Sequence, residues 1–147
     1  MPYTQIIYQV VFATKYRRKV LTKPNRDNLI GYFYGLFKKK KCFVHAINGV
    51  SDHFHFVFAL HPTVALSDLV KDLKLSSHYH IEEADWFPEF DRWCTGYAAF
   101  TYSKEALPNL IRYVANQERH HGEETSLEKL RRLLDDHGVA YDEAYLE

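Results

Sequence analysis

Ser51-Asp52-His53-Phe54-His55-Phe56-Val57-Phe58-Ala59-Leu60 carries the alternation of a β-strand, because successive side chains of an extended chain point to opposite faces. Phe54, Phe56, Phe58 and Leu60 then share one face, a dense apolar stripe that needs a core behind it. His53, His55, Val57 and Ala59 share the other. Imidazoles two residues apart on one strand face stand about 7 Å apart, and suitable rotamers bring them to one metal ion. Two half-exposed strand histidines would give the same pattern, so both readings stay open on the motif alone.

Upstream, residues 43–47 read as a short strand, and Asn48-Gly49 is a turn signal ahead of the histidine strand. His45 alternates with Phe43 and Ile47 and reads as a core or edge histidine. Residues 3–13 are rich in β-branched and aromatic types and form a first strand, with Ile6, Tyr8, Val10 and Phe12 facing one way. A helix follows over residues 24–39. Pro24 sits near its start, where a missing N–H costs least, and Leu29, Phe33, Leu36 and Phe37 make its apolar stripe.

Downstream, residues 66–83 form a second helix with Leu66, Leu69, Val70 and Leu73 inward. His78 and His80 lie on it two residues apart, about 200° around the axis, and so do not chelate. Residues 93–102 read as a fourth strand in which Gly96 marks a bulge or a close backbone approach. A helix runs over 105–120, with Pro108 in its first turn and Leu107, Leu110, Ile111 and Val114 on its apolar face. Thr125-Ser126-Leu127-Glu128 resembles a capping box opening a last helix to Asp136, which Gly138 ends. The order strand-helix-strand-strand-helix-strand predicts an α+β fold, a ferredoxin-like antiparallel sheet with added C-terminal helices. The first two helices then cover one face and leave the other for a substrate or a partner, with the last helix over part of it. The 147 residues read as one domain, 1–147.

Cys42 and Cys94 form no framework and read as buried free thiols of a reducing cytoplasm. Neither a membrane-spanning run nor a signal segment is apparent. A formal net charge of zero argues against indiscriminate nucleic-acid binding. The halves differ, however: residues 1–75 carry 12 Lys and Arg against 4 Asp and Glu, and residues 76–147 carry 7 against 15. Lys15, Arg17, Arg18 and Lys19 form one basic cluster, and Lys38, Lys39, Lys40 and Lys41 another. Such clusters are either a surface for a polyanion or ordinary solvated faces.

Tyr113-Val114-Ala115-Asn116-Gln117 places a phenol and an amide one helical turn apart on one face. A helical phenol can act as nucleophile on a phosphorus centre held by a metal. The Gln117 oxygen could join His53 and His55 as a third ligand, and that donor set suits Mg²⁺ or Mn²⁺. Without the histidines, Tyr113 and Gln117 would read as an amphipathic surface pair.

The sequence resembles the single-tyrosine HUH transposases of the insertion-sequence 200/605 family. The resemblance rests on Val11-Phe12-Ala13-Thr14-Lys15-Tyr16-Arg17, Asn48-Gly49-Val50-Ser51-Asp52-His53-Phe54-His55 and Trp93-Cys94-Thr95-Gly96-Tyr97-Ala98-Ala99-Phe100. It continues in Ile111-Arg112-Tyr113-Val114-Ala115-Asn116-Gln117-Glu118-Arg119-His120-His121 and Tyr141-Asp142-Glu143-Ala144-Tyr145-Leu146. It implies a metal-dependent enzyme that cleaves and rejoins single-stranded DNA at the ends of a mobile element, next to hairpins. By the same resemblance Tyr113 becomes the 5′-phosphotyrosine link, and His53, His55 and Gln117 hold the divalent metal. A homodimer with active sites shared between subunits is implied too, the tyrosine helix coming across from the partner, in a cytoplasmic protein that joins the nucleoid when bound to DNA. Two other readings remain beside it. One is a domesticated nuclease acting on chromosomal repeat hairpins. The other is a catalytically silent nucleic-acid-binding module on the same sheet, which leaves the two histidines, the tyrosine and the glutamine without a joint purpose.

Overall fold

Antiparallel pairing of the histidine strand on both its sides organises the chain. The computed structural model describes residues 1–117 and 124–146. Strands β1 (Ile7–Ala13), β2 (Phe43–Gly49), β3 (His53–Ala59) and β4 (Ala98–Tyr102) form one sheet in the order β2-β3-β1-β4. Every neighbouring pair is antiparallel, the ferredoxin-like arrangement that the element order predicts. Helices α1 (Asn25–Lys39) and α2 (Leu66–Ala84) connect the strands. Helices α3 (Leu107–Ala115) and α4 (Ser126–Asp136) follow β4.

The strand alternation sorts the sheet's two faces as expected. Val10, Phe12, Phe54, Phe56 and Phe58 pack against Leu29, Phe33 and Phe37 of α1 and Leu69, Val70 and Leu73 of α2. Phe33 meets Phe54 and Phe56 edge-on at ring centroids of 5.4 and 4.9 Å, the offset geometry that aromatic quadrupoles favour. Each such side chain, fully withdrawn from water, contributes about 1.5–3 kcal/mol.

The opposite face is not left free. Leu110 and Val114 of α3 pack on Ile7 and Val57, while Leu133 and Leu134 of α4 pack on Val11 and Phe100. Both C-terminal helices are amphipathic and bury their stripes here, so the histidine face is roofed over. Thr125 caps α4 by accepting the Glu128 N–H at 3.1 Å, and Gly138 ends the segment at φ 66°.

Three local expectations are corrected. The fourth strand begins at Ala98, and Trp93 makes only an isolated bridge to Thr14. The segment between is held by Lys74, whose ammonium donates to the carbonyls of Cys94, Thr95 and Gly96 at 2.8, 3.2 and 2.7 Å. A Cβ on Gly96 would meet nothing within 4 Å, so no close approach requires that glycine. The Asn48-Gly49 pair is not the turn either: both belong to β2, where they face His55 and Phe54, and the chain reverses through Val50, Ser51 and Asp52. Gly49 is required because the Phe54 ring lies across it, 2.6 Å from where a Cβ would stand. His45 falls at a register shift on edge strand β2 and is half-buried, in keeping with an edge histidine. His78 and His80 diverge, His78 pairing with Glu82 and His80 stacking on Tyr32. Cys42 and Cys94 are buried free thiols. Among the described residues no helix is long and apolar enough to cross a membrane.

Gly49→Ala should destabilise the protein by about 1–3 kcal/mol, the usual effect of overpacking. Gly31→Ala, in α1 with nothing near its Cβ, should stabilise by about 0.5–1 kcal/mol. Urea denaturation of the two variants checks the contrast.

Candidate active site

The register aligns His53 with Ala13 and His55 with Val11 on β1, and the small Ala13 leaves room above the sheet. The histidines are 1% and 0% exposed, which excludes two half-exposed strand residues. Their rings stand 5.1 Å apart between centroids. Each is held at Nδ1. His53 Nδ1 lies 2.6 Å from Asp52 Oδ1, so an Nδ1–H donated to this carboxylate leaves Nε2 as the lone-pair atom.

His55 Nδ1 lies 2.9 Å from Nε2 of the buried Gln9, whose Oε1 accepts from the Tyr102 hydroxyl at 2.7 Å. Turned end for end, the same amide would accept a proton from His55 Nδ1 and donate to Tyr102 Oη, leaving His55 Nε2 bare in its turn. Burial, with the neighbouring Tyr113 and Asp136, pushes the Tyr102 phenol up to about 12, so it remains protonated. Among the described residues the Nε2 atoms of His53 and His55 are both buried without a hydrogen-bond partner. Buried ring nitrogens are ordinarily satisfied, so two bare ones on adjacent rings are candidate donors.

Tyr113, in the last turn of α3, has its ring edge-on to His55 at 6.1 Å between centroids. The helix is fastened by Asn48 of β2, whose Nδ2 donates to the carbonyls of Val114 and Ala115 at 3.0 and 3.2 Å. α3 ends at Ala115, earlier than expected, and residues 118–120 of the anticipated helix lie outside the described residues. Gln117 follows the break at Asn116 and is 0% exposed. Its Nε2 donates to the Tyr113 carbonyl at 3.1 Å. Tyr113, Gln117, His53 and His55 are thus gathered in one chain, though Tyr113 and Gln117 do not share an unbroken helix.

Sequence reasoning missed the cations supplied by α4. Lys129 Nζ donates to Gln117 Oε1 at 2.6 Å, and Arg132 Nη2 donates to Tyr113 Oη at 2.8 Å while its guanidinium lies 5.7 Å from the ring centroid. Glu124 accepts from Arg132 and keeps it firmly protonated. Spacing held a usable signal: Lys129 lies four residues before Leu133 and so falls on the buried stripe of α4. Gln9, between Ile7 and Val11 on the face of β1 that meets the histidines, was likewise a polar residue at an inward position. Of the first basic cluster, Arg17 is turned inward and donates to Ser126 Oγ at 3.2 Å, whereas Arg18 and Lys19 are exposed and Lys15 half-buried. Lys38, Lys39, Lys40 and Lys41 are exposed at the far end of the sheet, and Lys40 pairs with Asp72 at 2.6 Å.

Among the described residues no three His, Cys, Asp or Glu side chains converge as a metal group. Burial lowers the affinity of both histidines for a proton. His53 lies below its ordinary value despite Asp52, and His55 lies well below, with His53, Lys129 and Arg132 adding to the effect.

The chain belongs to the insertion-sequence 200/605 family of single-tyrosine HUH transposases: the family profile "Transposase IS200 like" matches residues 2–117. A solved structure of a candidate transposase from Deinococcus radiodurans R1 is similar at 24% identity and a TM-score of 0.64, covering 79% of this chain and 93% of that one. A REP-associated tyrosine transposase bound to a REP hairpin is similar at 12% identity and a TM-score of 0.61, covering 83% and 72%. These two likenesses show the fold. No curated protein matches.

A pH dependence follows from the buried histidines. The unfolded chain takes up their protons near pH 6.5 and the folded chain only below that, so stability present above about pH 6.5 is lost as the pH falls below it. The melting temperature of the metal-free protein should fall across that window, and fall less for His55→Gln. Equal slopes in the two proteins would clear His55 of the effect.

Proposed function

We propose that this chain cleaves and rejoins single-stranded DNA by transesterification at Tyr113, on a phosphate gathered at His53, His55 and Gln117 with Mg²⁺ or Mn²⁺. The observation that carries this reading is the pair of bare Nε2 atoms on His53 and His55, with the Tyr113 ring set against His55. Two imidazole nitrogens and one amide oxygen fit a divalent cation that keeps open positions for water and phosphate. Bound there, the ion would supply polarisation of the phosphoryl group.

The chain's own groups do the rest. Asp52 and Gln9 hold the histidine rings. Arg17, Lys129 and Arg132 ring the cavity with positive charge, an environment for a phosphodiester. The Tyr113 oxygen forms a bond to phosphorus, the bond to the 3′-oxygen breaks, the phenolic proton passes to solvent and the 3′-oxygen takes one up. The 5′-phosphotyrosine keeps the energy of the phosphodiester, so a 3′-hydroxyl can attack it and rejoin strands without ATP. In that step the tyrosine oxygen leaves, and Arg132 is placed to offset its charge. A single strand reaches such a roofed site without the cost of unpairing.

Hairpins beside the cleaved strand are the proposed recognition element, and the hairpin bound by one similar structure supports including repeat hairpins of the chromosome among the substrates. Catalysis within one chain is favoured by the Asn48 contacts that fix α3 to its own sheet. A homodimer that exchanges the tyrosine helix is the second reading, supported by the family resemblance.

Incubation with Mn²⁺ and labelled single-stranded DNA next to a hairpin should give a denaturation-resistant adduct. Tyr113→Phe should abolish it while hairpin binding persists, and His53→Ala should cripple the metal-dependent step. An adduct that survives in Tyr113→Phe assigns the nucleophile elsewhere. Mixing the Tyr113→Phe and His53→Ala proteins discriminates the two arrangements, since only helix exchange restores activity.

The cations turned toward the surface are proposed contacts to the DNA backbone: half-buried Lys15 with exposed Arg18 and Lys19 beside the His53 end of the sheet, and Lys38 to Lys41 at the other. Each phosphate contact removed should weaken binding with little sequence bias and lower the salt slope by about 1. Hairpin affinity unchanged after neutralising Lys38 to Lys41 would remove that segment from the interface.

A further inference from the structure

Helix α4 lies beyond the residues matched by the family profile, yet it sends two cations into the site. Lys129 is the more unusual. It is 2% exposed, a costly place for an ammonium unless partners compensate, and its nearest partner is the oxygen expected to serve as third metal ligand. The 2.6 Å contact is short for a charged N–H donor. Burial lowers the hold of this amine on its proton, against the attraction of Glu124 and Asp52, and its charge reaches both histidines. The cavity that would hold a divalent cation therefore already has a monovalent one at its edge.

We propose that Lys129 is the resident cation of this site: in the metal-free protein its ammonium takes the divalent ion's place on Gln117 Oε1, and the ion gains Gln117 by displacing it. The inference rests on the metal-site reading given above. Its physical basis is that two cations on one carbonyl oxygen would lie within a few ångströms of each other. In a partly screened site the repulsion between a monovalent and a divalent charge at that separation exceeds what one amide hydrogen bond returns. Lys129 is thus a positioning residue. It keeps the Gln117 oxygen turned inward and satisfied while the site is without its ion, and opposes ion entry until it moves.

Mn²⁺ binding to the full chain, followed by the paramagnetic resonance of the free ion, tests this. Lys129→Met should bind Mn²⁺ more tightly than the wild type by about ten- to hundredfold, the range over which outer-sphere groups tune metal affinity. Lys129→Arg, which keeps the charge, should bind no more tightly than the wild type. Equal or weaker binding by a folded Lys129→Met protein overturns the proposal. His53→Ala separates the two levels of the argument. If it binds Mn²⁺ as the wild type does, the metal-site reading itself fails; if it loses binding while Lys129→Met changes nothing, only the lysine assignment fails.

Should Lys129→Met not fold, the wild type decides. Nitrogen-15 resonances of the Lys129 ammonium should show protection from exchange without metal and lose it as Mg²⁺ saturates the site. A Lys129 signal unchanged at saturating Mg²⁺ would overturn the displacement.

Discussion

β3 is buried on both faces from His53 to Phe58, and a strand's side-chain period of two leaves it no freedom of register. A slip of one residue would drive Phe54, Phe56 and Phe58 into the histidine cavity and both imidazoles into the aromatic core. The phenylalanines therefore fix where the histidines point, and the packing of α1 against them is also the constraint that aims the site. Both histidines lie on the reverse side of the protein's most apolar strand. That placement holds their rings, and it explains how two buried ring nitrogens stand without partners among the described residues: the strand cannot turn them elsewhere.

The same alternation is why so much of the fold was legible in the sequence. Period-two runs located β1 and β3, helical stripes located α1 and α2, and their order specified the sheet. His53 and His55 were readable because local geometry alone puts them on one face. The errors arose where tertiary contacts overrule a local signal. Asn48-Gly49 has the composition of a turn, yet Gly49 is needed to lie under the Phe54 ring and Asn48 to bind another element. Gly96 looked like a bulge, but a lysine from α2 shapes that segment. The roof over the histidine face was foreseen only in part, because an amphipathic helix declares that it needs a partner without saying which surface supplies it.

The polar contacts around the site were the least legible, for a related reason. Asp52, Gln9, Tyr102, Lys129 and Arg132 act through pairs separated by up to 93 residues, and no local periodicity encodes such a pair. Lys129 and Gln9 do break the apolar pattern of their elements, and a polar residue at an inward position must find a partner or a ligand. The sign of the surrounding charge could not be read from composition either. A chain with no net charge nonetheless surrounds its buried histidines with Arg17, Lys129 and Arg132, so the local field rather than the total decides what the cavity attracts.

The helix that carries Tyr113 ends at Ala115, where Asn48 takes the carbonyls of Val114 and Ala115, and Gln117 lies on the far side of Asn116. The two residues read from sequence as an i,i+4 pair on one helical face are therefore separated by a turn at Asn116. In an unbroken helix the pitch alone would set the place of Gln117 from that of Tyr113; here it is set by two contacts instead, its amide donating back to the Tyr113 carbonyl and accepting from Lys129.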